Sequence, residues 1–95
     1  MLFFIYSPDK ADHWNVRQET RPDHIEFLKK YWGNLVYAGP TLSDDGEIMD
    51  GSVLIVDFPD KAAVEAFVNE DPYKKADLFE STTIKSFKQV APAVE

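Results

Sequence analysis

The sequence predicts an α+β sandwich of the ferredoxin-like kind, β-α-β-β-α-β, with one antiparallel sheet and both helices on one face. Three observations carry this. Strand-type and helix-type segments alternate in that order, turn residues bound the strands, and each helical segment carries a single apolar arc. The chain has 95 residues, so 1–95 is read as a single domain and a two-domain enzyme is excluded. A domain of this size buries only about 60–65% of its unfolded surface, so pairing with a second copy would help it.

The first strand is the aromatic and β-branched run Leu2 to Tyr6, closed by the turn cluster Ser7-Pro8-Asp9. Pro8 to Thr20 is polar and without clear periodicity, and reads as a long loop. Pro22 marks the expected start of the first helix, since the first helical position needs no N–H, and Gly33-Asn34 its end. At about 100° per residue, Ile25, Phe27, Leu28, Tyr31 and Trp32 share one arc, opposite Asp23, Glu26, Lys29 and Lys30.

Leu35 to Leu42 is the second strand, with Gly39-Pro40 suggesting a bulge or an edge position. Asp45-Gly46 is the expected turn of a hairpin leading to Gly51–Phe58, the most hydrophobic strand and so the expected centre of the sheet. Asp60 is placed to cap a second helix with Ala63, Val64, Phe67 and Val68 inward, and Pro72 stops it. Lys74 to Phe79 adds a helical turn, Ser81 to Val90 forms the last strand, and the tail Ala91 to Glu95 reads as frayed.

Charge and composition narrow the function. Ten basic against seventeen acidic residues give a net charge of −7, with no basic run, which argues against nucleic acid or an anionic membrane as partner. There is no cysteine, hence no disulfide, thiolate nucleophile or Cys-type metal site, in keeping with a cytoplasmic location. The apolar run at the start is too short for a signal peptide or a membrane span. His13 stands alone in the polar loop, and the acids between Asp44 and Asp50 lack calcium-loop spacing, so no metal is expected. No phosphate-cradling glycine loop is present, and no cofactor is expected either.

Both faces of the strands are apolar: Leu2, Phe3, Phe4 and Ile5 in the first, Val53, Leu54, Ile55 and Val56 in the third. Helices cover only one face. The other face, with thirteen aromatics available, predicts a homodimer packed sheet to sheet, with higher assembly left open.

The topology brings the 8–20 loop, the first helix's start, Gly51-Ser52 and Asp71-Pro72-Tyr73 to one end of the fold. There His24 falls within the apolar arc of its helix, and Asp71 extends the inward arc of the second. A histidine that gains a carboxylate partner becomes an oriented general acid or base, although a satisfied buried histidine fits the same pattern. Arg21, at the expected helix start, is placed to hold a carboxylate, or else is solvated or paired with an acid such as Asp71. Ser52 and Tyr73 are candidates to bond a ligand, against plain strand-entry and packing roles.

Arg21-Pro-Asp-His24, Leu35-Val-Tyr-Ala-Gly-Pro40, Gly51-Ser52, Asp71-Pro-Tyr73 with Lys74-Lys-Ala-Asp-Leu-Phe79, and Ile84-Lys-Ser-Phe-Lys88 together resemble the YciI-like (YCII-related) family across nearly the whole chain. The resemblance implies a dimeric α+β barrel. It also implies a His–Asp dyad at His24 and Asp71, with Arg21 and Ser52 nearby. The chain departs from the family's commonest pattern at Lys75-Ala-Asp77 and Lys85-Ser-Phe87.

The expected function is therefore that of a cofactor-independent lyase or isomerase, dehydrochlorinase-like, moving a proton on a small unsaturated carboxylic acid. The competing reading is a dimer that binds a small acidic or aromatic metabolite without turning it over. Haem binding, by analogy with the superfamily, rests on fold alone.

Overall fold

In the computed structural model, which describes residues 1–92, the strands β1 (Leu2–Pro8), β2 (Leu35–Leu42), β3 (Met49–Asp57) and β4 (Thr83–Phe87) form one sheet in the order β2-β3-β1-β4. Every pairing is antiparallel, and the topology is ferredoxin-like as expected. β3 is central, and β2 lies at an edge, where Pro40 is tolerated. The irregularities of β2 fall at Leu35/Tyr37 and Thr41/Leu42, however, rather than at Gly39-Pro40. Of the expected frayed tail, residues 93–95 lie outside the described part.

Alternation along the strands decides which side is core. Phe3 and Ile5 of β1, with Leu54 and Val56 of β3, point to the helical side and are buried against Phe27, Leu28, Val64 and Phe67. The opposite side carries Phe4, Tyr6, Val53 and Ile55, half-buried or exposed, together with exposed Tyr37 and Phe87. Phe4 pairs with Ile55, and Ile55 with Tyr37, so these side chains form a continuous apolar surface. No helix covers it.

The first helix corrects the sequence reading. α1 runs from Trp14 to Lys30, so residues 14–20 are helix and Pro22 lies in its interior. A proline there removes one backbone donor, and the helix tolerates it where Gln18 and Pro22 lie on the exposed side. The helix ends at Lys30, and Trp32–Asn34 form a short 3₁₀ turn in place of the expected last helical turn. Ile25 and Trp32, expected inward, are exposed: the packed stripe is turned toward residues 17, 24, 27 and 28.

α2 (Lys61–Glu70) starts as expected, the Ala63 N–H donating to Asp60 Oδ1 at 2.9 Å. α3 (Pro72–Lys75) follows at once, somewhat before the expected turn, and its N-cap is Asp71, whose Oδ1 accepts from the Tyr73 N–H at 2.9 Å. At Gly51 the strands come close. A Cβ there would lie 2.6 Å from Thr41 Oγ1 and 3.1 Å from the Ser7 carbonyl oxygen, so glycine permits the approach that seats Ser52 beside Ser7. No helix among the described residues is long and apolar enough to cross a membrane.

Candidate functional site

Residues 17, 21, 24 and 28 of α1 follow the i, i+4, i+7, i+11 rhythm of one helix face. All four line a cleft of about 150 Å³ between α1, the start of β3 and the edge strand β2. Ser52 and Tyr73 line it too, and Gly39-Pro40 and Met49 form its outer side. Arg17 and His24 occupy the buried stripe where apolar residues would be usual, and for that reason the first half of α1 reads as a polar loop.

His24 is 7% exposed, and its Nδ1–H donates to Asp71 Oδ1 at 2.8 Å. The structure brings these two expected residues together. Asp71 is held rigidly, because the same oxygen caps α3. A carboxylate can only accept, so the bond places an imidazole proton on Nδ1. Nε2 has no protein partner, yet among the described residues no buried side-chain nitrogen or oxygen is both sealed and unpaired. Nε2 therefore opens onto the cleft. The His24 ring stacks on Tyr73, with centroids 4.0 Å apart and planes 21° apart, which fixes its tilt.

The other polar group of the cleft was not foreseen. Arg17 is 2% exposed; its Nε and Nη2 donate to Asp9 Oδ2 and Oδ1 at 2.7 and 2.8 Å, and Nη2 donates also to Ser52 Oγ at 3.0 Å. Its guanidinium carbon lies 4.6 Å from the centre of the Tyr73 ring. Burial works against the Arg17 charge, but the bonds and charge of Asp9 outweigh it and hold the pKa above its ordinary value. The one signal for Arg17 in the sequence is its heptad spacing from His24, legible only once α1 is known to begin at Trp14.

The remaining expected residues divide. Ser52 is buried in the cleft and accepts from Arg17. Tyr73 is buried beside His24, and burial raises its phenol pKa against the pull of Arg17 and Arg21, so the phenol keeps its proton. Arg21 lines the cleft but is an exposed residue of the helix interior, so the free N–H groups of a helix start do not assist it. His13 is the half-buried N-cap residue of α1, where exposure was expected, and its Nδ1 lies 2.7 Å from the Ala11 carbonyl oxygen.

Residues 1–88 match the YCII-related domain. The proteins called YciI from Escherichia coli O6:H1 and from Shigella flexneri are each 35% identical over 97 aligned residues, spanning 95% of this chain and 99% of theirs. Among solved structures, the 5-chloro-2-hydroxyhydroquinone dehydrochlorinase of Burkholderia phenoliruptrix AC1100, in complex with 2,5-dihydroxybenzoquinone, is similar at a TM-score of 0.90. It is 32% identical, with 99% of this chain and 100% of that one covered. A NIPSNAP family protein from Agrobacterium tumefaciens, 14% identical with a TM-score of 0.58 over 97% and 94% of the two chains, shares the fold alone.

Proposed function

The chain belongs to the YCII-related domain family, and on that premise we propose that it is a cytoplasmic, cofactor-independent lyase of the dehydrochlorinase kind. In this reading His24, oriented by Asp71, moves the proton. The observation that carries it is the 2.8 Å bond from Nδ1 to Asp71, which leaves Nε2 facing the cleft as a base. Nothing in that arrangement requires an electron acceptor.

The cleft favours a small substrate. About 150 Å³ is the size of cavity that takes a single benzene ring. The similar dehydrochlorinase acts, by its name, on a chlorinated trihydroxybenzene. This supports a small oxygenated, unsaturated ring or acid here. For such a ring the bookkeeping closes without a redox partner. Nε2 takes one hydroxyl proton, the ring ketonises and gains a proton at the carbon bearing chlorine, and chloride leaves with its bonding pair as a second hydroxyl loses its proton. The net loss is HCl, and the product is a quinone.

A second copy of the chain on the open face of the sheet belongs to the same proposal. The apolar surface of Phe4, Ile55, Tyr37 and Phe87 supports it, since an uncovered patch of this kind is costly in water. Sedimentation equilibrium at micromolar concentration is expected to give a dimer, and a monomer there would end that part of the reading.

Chloride release from 5-chloro-2-hydroxyhydroquinone and from chlorinated unsaturated acids, followed with an ion-selective electrode, tests the function. The protein is expected to release chloride from at least one of them and His24→Ala from none. Equal release by both proteins would overturn the assignment.

A further inference from the structure

The apolar arc of the first helix leaves two large side chains in solvent. Ile25 is 37% exposed and Trp32, just past the helix end, 71%, while Phe27 and Leu28 are buried in the core. With Leu28 the two line a groove of about 470 Å³ between α1 and the edge strand β2, whose far wall is Leu35, Val36 and Ala38. Arg21, Ile25, Leu28 and Trp32 follow the i, i+4, i+7, i+11 rhythm, so the groove begins where the cleft ends. Ile25, Leu28 and Ala38 line both. Ala38 is paired in register with Leu54, a core residue, so its methyl stands on the helical side of the sheet, and a larger side chain there would separate cleft from groove. From Ile25 to Trp32 the groove follows the helix for roughly 10 Å. Among the described residues its one charged lining side chain is Lys29, whose Nζ donates to Glu26 Oε1 at 3.1 Å.

We propose that this groove seats an apolar arm of the substrate, an alkyl chain or aryl group carried by the oxygenated ring or acid whose head lies in the cleft at His24. This rests on the reading of the cleft as the substrate site. Continuity selects the occupant: a substituent leaving the head toward β2 meets Ile25, Leu28 and Ala38 first, and Trp32 after them. Removing that arm and these walls from water adds affinity in proportion to the apolar area buried, which a cleft of about 150 Å³ alone does not supply. The arm touches no reacting atom, so it governs which substrate is held rather than the proton transfer. The sheet face assigned to a second copy carries no helix, whereas the groove lies against α1, so a copy seated there leaves the groove open to the arm.

The test compares 2,5-dihydroxybenzoquinone with a hexyl-substituted derivative of it, binding of each to the full chain being measured by calorimetry and each variant's melting temperature recorded alongside. The hexyl probe is expected to bind roughly ten- to a hundredfold tighter. Trp32→Ser, at an exposed position of the groove outside the cleft, is expected to lose most of that gain while binding the unsubstituted quinone as the unaltered protein does. Val36→Ser, likewise exposed and outside the cleft, decides the matter if Trp32→Ser does not fold. Equal affinity for the two probes, binding of neither, or a gain that survives the deciding variant overturns the proposal. A dimer that dissociates in Trp32→Ser on sedimentation makes the groove an interface between copies, and overturns it too. The two readings fail separately: a Trp32-dependent gain without chloride release from any substrate removes the lyase and leaves the groove, and release lost in His24→Ala with equal affinity for the two probes removes the groove alone.

Discussion

Two buried hydrogen-bonded pairs, Arg17–Asp9 and His24–Asp71, share helix α1 and the Tyr73 ring, and they differ in chemistry. Arg17 and Asp9 are joined by two parallel bonds, and the guanidinium stays charged at any pH the protein meets. His24 and Asp71 are joined by one bond, and an imidazole is the side chain that can gain and lose a proton around neutrality. The first pair is doubly bonded, and the second rests on a single bond to a ring that we propose moves a proton. The difference lies in chemistry rather than in burial, since all four side chains are nearly closed to solvent.

Breaking the doubly bonded pair should cost the most stability. Arg17→Ala leaves the Asp9 carboxylate buried without its partner, and is expected to lose about 3–5 kcal/mol in urea unfolding. A loss below about 1 kcal/mol would show that water reaches Asp9 freely.

Asp71→Ala breaks the other pair and should cost less, about 1–3 kcal/mol, because it removes the α3 cap and one hydrogen bond where Arg17→Ala removes a doubly bonded ion pair. A cost equal to that of Arg17→Ala would mean that the single bond and the α3 cap matter to the fold as much as the doubly bonded pair does. Urea unfolding of both variants in one buffer makes the comparison.

The exposed pair Lys10–Asp77, 2.7 Å apart, completes the series. The Lys10 hydrogen bond and charge hold the Asp77 carboxyl below its ordinary range. Its folded pKa therefore lies below the unfolded value, so the contribution is present above the unfolded pKa and lost as pH falls through the folded one. Solvent surrounds Asp77, and the effect is small. Asp77→Asn should alter the stability–pH curve only slightly, with the difference from the unaltered protein vanishing at acid pH.

The contrast between the pairs also explains what could be read from the sequence. His24 and Asp71 were legible because each extends a helical arc already marked by apolar residues, Phe27 and Leu28 in one helix and Val64 and Phe67 in the other. The strand order followed from turn residues such as Asp45-Gly46 and from the apolar β3, and Gly46 does adopt a positive φ. Arg17 and Asp9 were not legible. Hydrophobic periodicity reports a helix only where its buried face is apolar, and the buried face of residues 14–24 is Arg17 and His24. Pro22 added a false start at the point where the pattern first becomes apolar. Arg21 was consequently given the place at the cleft's polar end that Arg17 occupies.

The central claim is that His24 moves a proton rather than merely filling the cleft wall, and His24→Gln tests it most directly. The glutamine amide can still donate to Asp71 but cannot accept a proton at neutral pH. On this account His24→Gln folds and binds 2,5-dihydroxybenzoquinone within a few-fold of the unaltered protein, while chloride release falls by at least about a hundredfold. Release at an undiminished rate would contradict it.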